Sequence, residues 1–116
     1  MWHRVCALKD LRDGEGRSVE IAGVEVGVYR CGGELFAVEN ICTHAHAYLH
    51  EGSVDRVRCT VECPLHGAEF DLRTGAALTP PAEEALRTFP VRVVGDEVQV
   101  DIPETAGEAQ EGRAKS

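Results

Sequence analysis

A chain of 116 residues with 43% hydrophobic side chains has room for one domain with one modest core, and its composition is that of a folded chain, not a disordered one. Twenty acidic residues against twelve basic ones give a formal charge of −8, which disfavours nucleic acid or anionic membrane as partners and suits a basic protein surface. No apolar run approaches the roughly 20 residues that span a bilayer, and Met1-Trp2-His3-Arg4 lacks the apolar segment of a signal peptide, so no membrane association is expected and the cytoplasm is the expected location.

Trp2 to Leu8 alternates loosely and reads as a first strand, closed by a polar turn region from Lys9 to Gly16. Val19-Glu20-Ile21 leads through Ala22-Gly23 into Val24-Glu25-Val26-Gly27-Val28-Tyr29, where period-two alternation puts the apolar residues on one face. Cys31-Gly32-Gly33-Glu34 predicts a tight turn, because glycine reaches positive φ without steric cost, and Leu35 to Val38 returns antiparallel. After Ile41 the sheet pattern stops. Two Cys/His loops follow, joined by a hairpin with strands over Val54 to Val61, and Asp71 to Gly75 reads as the turn that leaves the second loop. Glu83 to Arg87 predicts a short turn, and Thr88 to Val94 with Glu97 to Ile102 flank Gly95-Asp96 as a closing hairpin. There is no internal repeat. The expected architecture is all-β, a small antiparallel sandwich or barrel over 1–103 with a metal-loop subdomain of about 40–77 inserted in it. Residues 104–116 carry no core-sized apolar side chain and are expected to form a flexible tail.

Five cysteines in a chain read as intracellular argue against a disulfide framework. Cys6 and Cys31 fall in strand-like stretches, where a free cysteine behaves as a small buried hydrophobe. Cys59 reads as a strand residue of the hairpin, with Cys59-x-x-x-Cys63 as a zinc-type alternative. The chemistry concentrates in Cys42-Thr43-His44 and, eighteen residues later, Cys63-Pro64-Leu65-His66. Each loop offers one soft thiolate and one imidazole, where a zinc finger takes both thiolates from one knuckle and both imidazoles from a helix, so the mixed order suits a binuclear centre. His46, two residues after His44, competes with it on spacing alone. His46 and His50 read as solvated loop residues, and His3 as an ordinary strand residue.

C-x-H followed by C-x-x-H, with Asn40-Ile41 before the first ligand, Leu49 and Glu51-Gly52 after it, Glu62 before the second pair, and Gly67, Phe70-Asp71 and Thr74-Gly75 beyond, resembles the Rieske iron–sulfur family. Pro80-Pro81 and Phe89-Pro90-Val91 fit the same pattern, so the resemblance covers most of residues 1–102; the eighteen-residue interval is slightly longer than the commonest one. It implies the Rieske fold and one 2Fe-2S cluster, with Cys42 and Cys63 on one iron and His44 and His66 on the other. Such a cluster passes single electrons. The chain has no G-x-G-x-x-G nucleotide fingerprint and no room for a second catalytic domain, so it is expected to be a carrier and not an enzyme.

Within the family it looks like the ferredoxin component of a multicomponent aromatic-ring dioxygenase, a monomer fed by a flavoprotein reductase and discharging to a terminal oxygenase. Two alternatives remain at this level: the small Rieske-like subunit of an assimilatory nitrite reductase, and a zinc-stabilised interaction module. The resemblance also bears on potential. High-potential members carry a hydroxyl residue two positions after the second ligand histidine, a tyrosine two further on, and a disulfide between the loops. Here those positions are Ala68, Phe70, and the pair Ala47 and Leu65.

Overall fold

Valine at every second position from Val24 to Val28 suits a pleated strand, where a β-branched side chain packs well against its neighbours. The computed structural model describes residues 1–41, 48–64, 67–79 and 84–103, and in it ten strands form three antiparallel sheets. The strands are β1 (Trp2–Ala7), β2 (Gly16–Ile21), β3 (Val24–Cys31), β4 (Glu34–Glu39), β5 (Val54–Asp55), β6 (Thr60–Glu62), β7 (Glu69–Asp71), β8 (Thr88–Phe89), β9 (Val91–Val94) and β10 (Glu97–Asp101). One sheet runs β2-β3-β4-β8, a second β1-β10-β9, and a third β5-β6-β7. The expected all-β antiparallel architecture is the one observed. Among the described residues no helix is long and apolar enough to cross a membrane.

Turn chemistry sets the meander as read. Gly32 and Gly33, at φ 61° and 81°, join Cys31 to its partner Glu34, and Ala22 and Gly23 do the same between Ile21 and Val24. Two expectations need correction. Thr88 to Val94 is not one strand: β8 pairs with β4 and β9 with β10, and the change of sheet falls at Pro90, which has no N–H to give to a ladder while its carbonyl accepts from Asp101 N–H at 3.0 Å. β7 was not anticipated either. It pairs with β6 from Glu62↔Glu69 to Thr60↔Asp71, directly ahead of the turn that had been read from Asp71 onward.

The apolar residues of β3 do not lie on one face alone. Val24, Val26 and Val28 enter a core with Cys6, Leu11, Ile21, Ala37, Phe89, Val98, Val100 and Ile102, between the first two sheets. Tyr29 and Cys31, on the opposite side of the pleat, enter a second core with Val38, Leu49, Val61, Cys63, Phe70 and Leu72. β3 is therefore buried on both faces. The Tyr29 ring fits there because two neighbouring positions are glycine: a methyl on Gly16 would come within 2.4 Å of the ring, and one on Gly27 within 2.9 Å of both the ring and Asn40 Oδ1. Gly16, read as part of a turn, in fact opens β2.

The largest correction concerns cysteine pairing. Cys31 and Cys59 form a disulfide, with Cα atoms 5.8 Å apart across 28 residues of sequence. Cys59 is not a strand residue; it lies in the turn between β5 and β6 with φ 55°. With its sulfur bonded to Cys31, it offers no thiolate for the zinc alternative. Closing a loop of that length restrains the unfolded chain by roughly 3–4 kcal/mol in the chain-entropy account. Cys6 is buried, as read, and burial pushes its thiol pKa up.

Since both atoms facing Gly27 belong to fully buried side chains, Gly27→Ala has no room to relax. It should cost about 1–3 kcal/mol of stability, read as a lower denaturant midpoint at unchanged slope.

Candidate metal centre

The first Cys/His loop stands on a closed frame. Ile41 and Tyr48 pair as an isolated antiparallel bridge, and Leu49 N–H donates to the Asn40 carbonyl at 2.7 Å. Asn40 is fully buried and makes the frame rigid from inside: its own N–H donates to Glu25 of β3, and its Oδ1 accepts from His50 N–H at 2.9 Å. That bond orients the amide, so its Nδ2 donates to His50 Nδ1 at 2.8 Å, which leaves the proton of the neutral imidazole on Nε2. His50 is thus not the solvated loop residue it had been taken for. It is half-buried and serves as the counterpart of Asn40. Beside this frame the Glu25 carboxyl is held above its ordinary range, chiefly by burial and next by Glu20, its cross-strand partner.

The second loop is closed at its own foot. Cys63 N–H donates to the Ala68 carbonyl at 2.7 Å, and Gly67 N–H, from a residue at φ 74°, donates to the Cys63 carbonyl at 2.9 Å. The Cys63 thiol is free and only 1% exposed. What joins the two loops is Gly52. A side chain there would have its Cβ 1.8 Å from the Glu62 carbonyl oxygen and 3.2 Å from Pro64 Cδ, while Glu62 N–H reaches the Ser53 carbonyl at 2.8 Å. The strand that delivers Cys63 can lie this close to the exit of the first loop because residue 52 has no side chain.

Of the four predicted ligands, Cys63 is described, at the foot of a loop whose backbone is fixed on both sides. Cys42, His44 and His66 lie outside the described residues, as do His46, Ala47 and Leu65. Among the described residues no group of three or more Cys, His, Asp or Glu could hold a metal ion. Cys63 itself fits a soft metal: its sulfur is in no disulfide, and it is buried among apolar side chains. The residues that the sequence reading missed are the framing ones, Asn40, His50 and Gly52. Asn40-Ile41 and Glu51-Gly52 had been noted as pattern, but nothing local in the sequence says that Asn40 grips His50 or that Gly52 faces Glu62.

Two short loops are thus pinned at their feet to a small β scaffold and to one another. The chain belongs to the Rieske 2Fe-2S domain family, which matches residues 1–90. It is 39% identical over 99 residues to the 3-phenylpropionate/cinnamic acid dioxygenase ferredoxin subunit of Escherichia coli strain K12, covering 85% of this chain and 92% of that protein. The ferredoxin of carbazole 1,9a-dioxygenase from Nocardioides aromaticivorans IC177 superposes with a TM-score of 0.85 at 37% identity, over 88% of this chain and 98% of that one. A ferredoxin seen in a complex of reduced oxygenase and oxidized ferredoxin in carbazole 1,9a-dioxygenase gives 0.80 at 39% identity, over 85% and 91% of the two chains.

Gly52→Ala should separate the loop feet, since the atom it meets is backbone and has no rotamer to change. The expected result is a loss of about 2 kcal/mol or more in stability, together with a fall in iron per chain after reconstitution. Unchanged iron content at parental stability would show that the feet need not touch.

Proposed function

We propose that this chain is the one-electron carrier of an aromatic-ring dioxygenase system, with one 2Fe-2S cluster held by Cys42, His44, Cys63 and His66. Two thiolates and two imidazoles, from loops whose feet Gly52 brings together, match the donor set that such a cluster requires. The cluster supplies a single-electron step; the chain's own residues orient the ligands and keep water from the sulfur side. Asn40 and His50 hold the first loop, the Cys63–Ala68 turn holds the second, and Leu49, Phe70 and Ala68 close the apolar floor around Cys63. On this reading residues 1–103 are the Rieske domain, the segment of about 40–77 is its cluster-binding part, and 104–116 is a tail.

The carrier receives electrons from a flavoprotein reductase and delivers them to a terminal oxygenase, acting as a monomer in the cytoplasm. The single observation that carries the assignment to a dioxygenase system is the 39% identity to a dioxygenase ferredoxin subunit over nearly its whole length. Charge supports the docking mode. Exposed Glu51 and Glu62 stand at the feet of the two loops, and exposed Tyr48 adds apolar area beside the first, so a partner with a basic rim would be steered onto the loop end of the molecule.

Residues Ala68 and Phe70 are both fully buried in the core that contains Cys63. Neither has a hydroxyl to donate towards a cluster sulfur, so the added negative charge of the reduced state is less stabilised than in high-potential members. Protein-film voltammetry should therefore give a potential near the bottom of the family range, about −150 mV. Ala68→Ser combined with Phe70→Tyr should raise it. A parent value well above zero would contradict both the donor argument and the assignment to a dioxygenase ferredoxin.

A further inference from the structure

The Cys31–Cys59 bond links the meander to the turn ahead of β6. Cys31 ends β3 in the meander, beside the Gly32-Gly33 turn, and Cys59 leads directly into β6, which ends one residue before Cys63. Both sulfurs are buried, at 0% and 3% exposure. The surroundings suit a second covalent state as well as the first. Carbonyl oxygens of Arg56 and Asp55 lie 3.4 and 3.9 Å from Cys31 Sγ. A disulfide sulfur has no proton to offer them, whereas a thiol would have an acceptor in place without any rearrangement.

Cys59 is also held in a conformation that a non-glycine residue rarely adopts, φ 55°. Its N–H donates to Asp55 at 2.8 Å and its carbonyl accepts from Leu72 N–H at 3.0 Å, but these two bonds lie within the third sheet and its turns. Towards the meander the turn has the disulfide and the exposed pair Asp13–Arg56 at 3.2 Å, and exposed ion pairs contribute little. The disulfide is then the covalent tie between the two parts, beside their shared core and the contacts of Arg73 with Glu34 and Phe36.

We propose that Cys31 and Cys59 form a reversible thiol–disulfide couple, separate from the iron–sulfur centre, whose two-electron state sets how firmly the strand leading to Cys63 is held to the β scaffold. Reduction by a low-molecular-weight thiol proceeds by exchange. One reagent thiolate attacks a sulfur, the Cys31–Cys59 bond breaks and a mixed disulfide forms; a second reagent thiolate attacks the reagent sulfur of that mixed disulfide and expels the cysteine as its thiolate. The reagent leaves as its own disulfide, and its two electrons and two protons remain on Cys31 and Cys59. Because both sulfurs are buried, attack requires the 55–59 turn to open, so the exchange is slow and follows local unfolding.

The test uses the full chain and does not depend on the cluster, so its failure would leave the carrier assignment untouched. First, the protein is denatured with iodoacetamide and no reductant, digested and weighed. Three alkylated cysteines and one Cys31–Cys59 cross-linked peptide are expected of the five cysteines, and prior incubation of the native protein with glutathione should convert this to five alkylated ones. Second, amide hydrogen exchange at Thr60 to Cys63 is compared before and after glutathione, with Cys31→Ala/Cys59→Ala as control. Exchange should quicken about tenfold on reduction in the parent and stay fast in the variant under both conditions. Five alkylated cysteines without glutathione, a cross-link that native glutathione never opens, or a cross-link whose reduction leaves Thr60 to Cys63 unchanged would each overturn the proposal; none of these readouts on the parent requires the variant to fold.

Discussion

Everything in this molecule depends on β3 being buried on both faces. One face, Val24, Val26 and Val28, closes the β scaffold in the usual way for a meander. The other, Gly27, Tyr29 and Cys31, would be a solvent face in a two-layer protein of this size; here it is the floor on which the third sheet and both loop feet rest. Full burial of Tyr29 and Phe70 alone removes two large rings from water, at roughly 2 kcal/mol each. The cost is a hydroxyl on Tyr29 that finds no hydrogen-bond partner among the described residues, and whose pKa burial drives upward.

That floor fixes the loop feet through backbone and not through long side chains. Asn40 hangs from β3 by its N–H and from the first loop by its side chain, so the position of the loop is tied to the strand with no flexible linker between them. Gly52 then lets the Cys63 strand lie against the exit of the first loop. The feet of both loops are thereby fixed relative to the β scaffold by backbone contacts. The acidic surface adds steering without touching that geometry, and it weakens as salt shortens the Debye length to about 8 Å at physiological strength.

Much of this was legible in the sequence because it is local. The Gly32-Gly33 turn and the meander from β2 to β4 follow from neighbours a few residues apart. The errors concern contacts across the fold that the pattern of neighbouring residues does not show. Cys31 and Cys59 are 28 residues apart, and an odd cysteine count hid a real pair behind an argument about framework. Period-two alternation put the apolar residues of β3 on one face, yet Gly27 on the other face is there to admit a buried ring. His50 looked like any loop histidine until Asn40 was found beside it. Pro90 was visible, but whether it ended a strand or moved the chain to another sheet depended on what lay across from it.

The central claim is that two thiolates and two imidazoles from facing loops hold a redox centre on this β scaffold. Pulsed electron paramagnetic resonance of the dithionite-reduced protein tests it most directly, because imidazole nitrogens bound to the reduced iron couple to its electron spin. The account predicts a red-brown protein whose reduced signal carries couplings from two nitrogen ligands, and which loses them with the signal in His44→Ala or His66→Ala. A colourless, zinc-loaded protein, or a reduced signal with no nitrogen coupling, would contradict it.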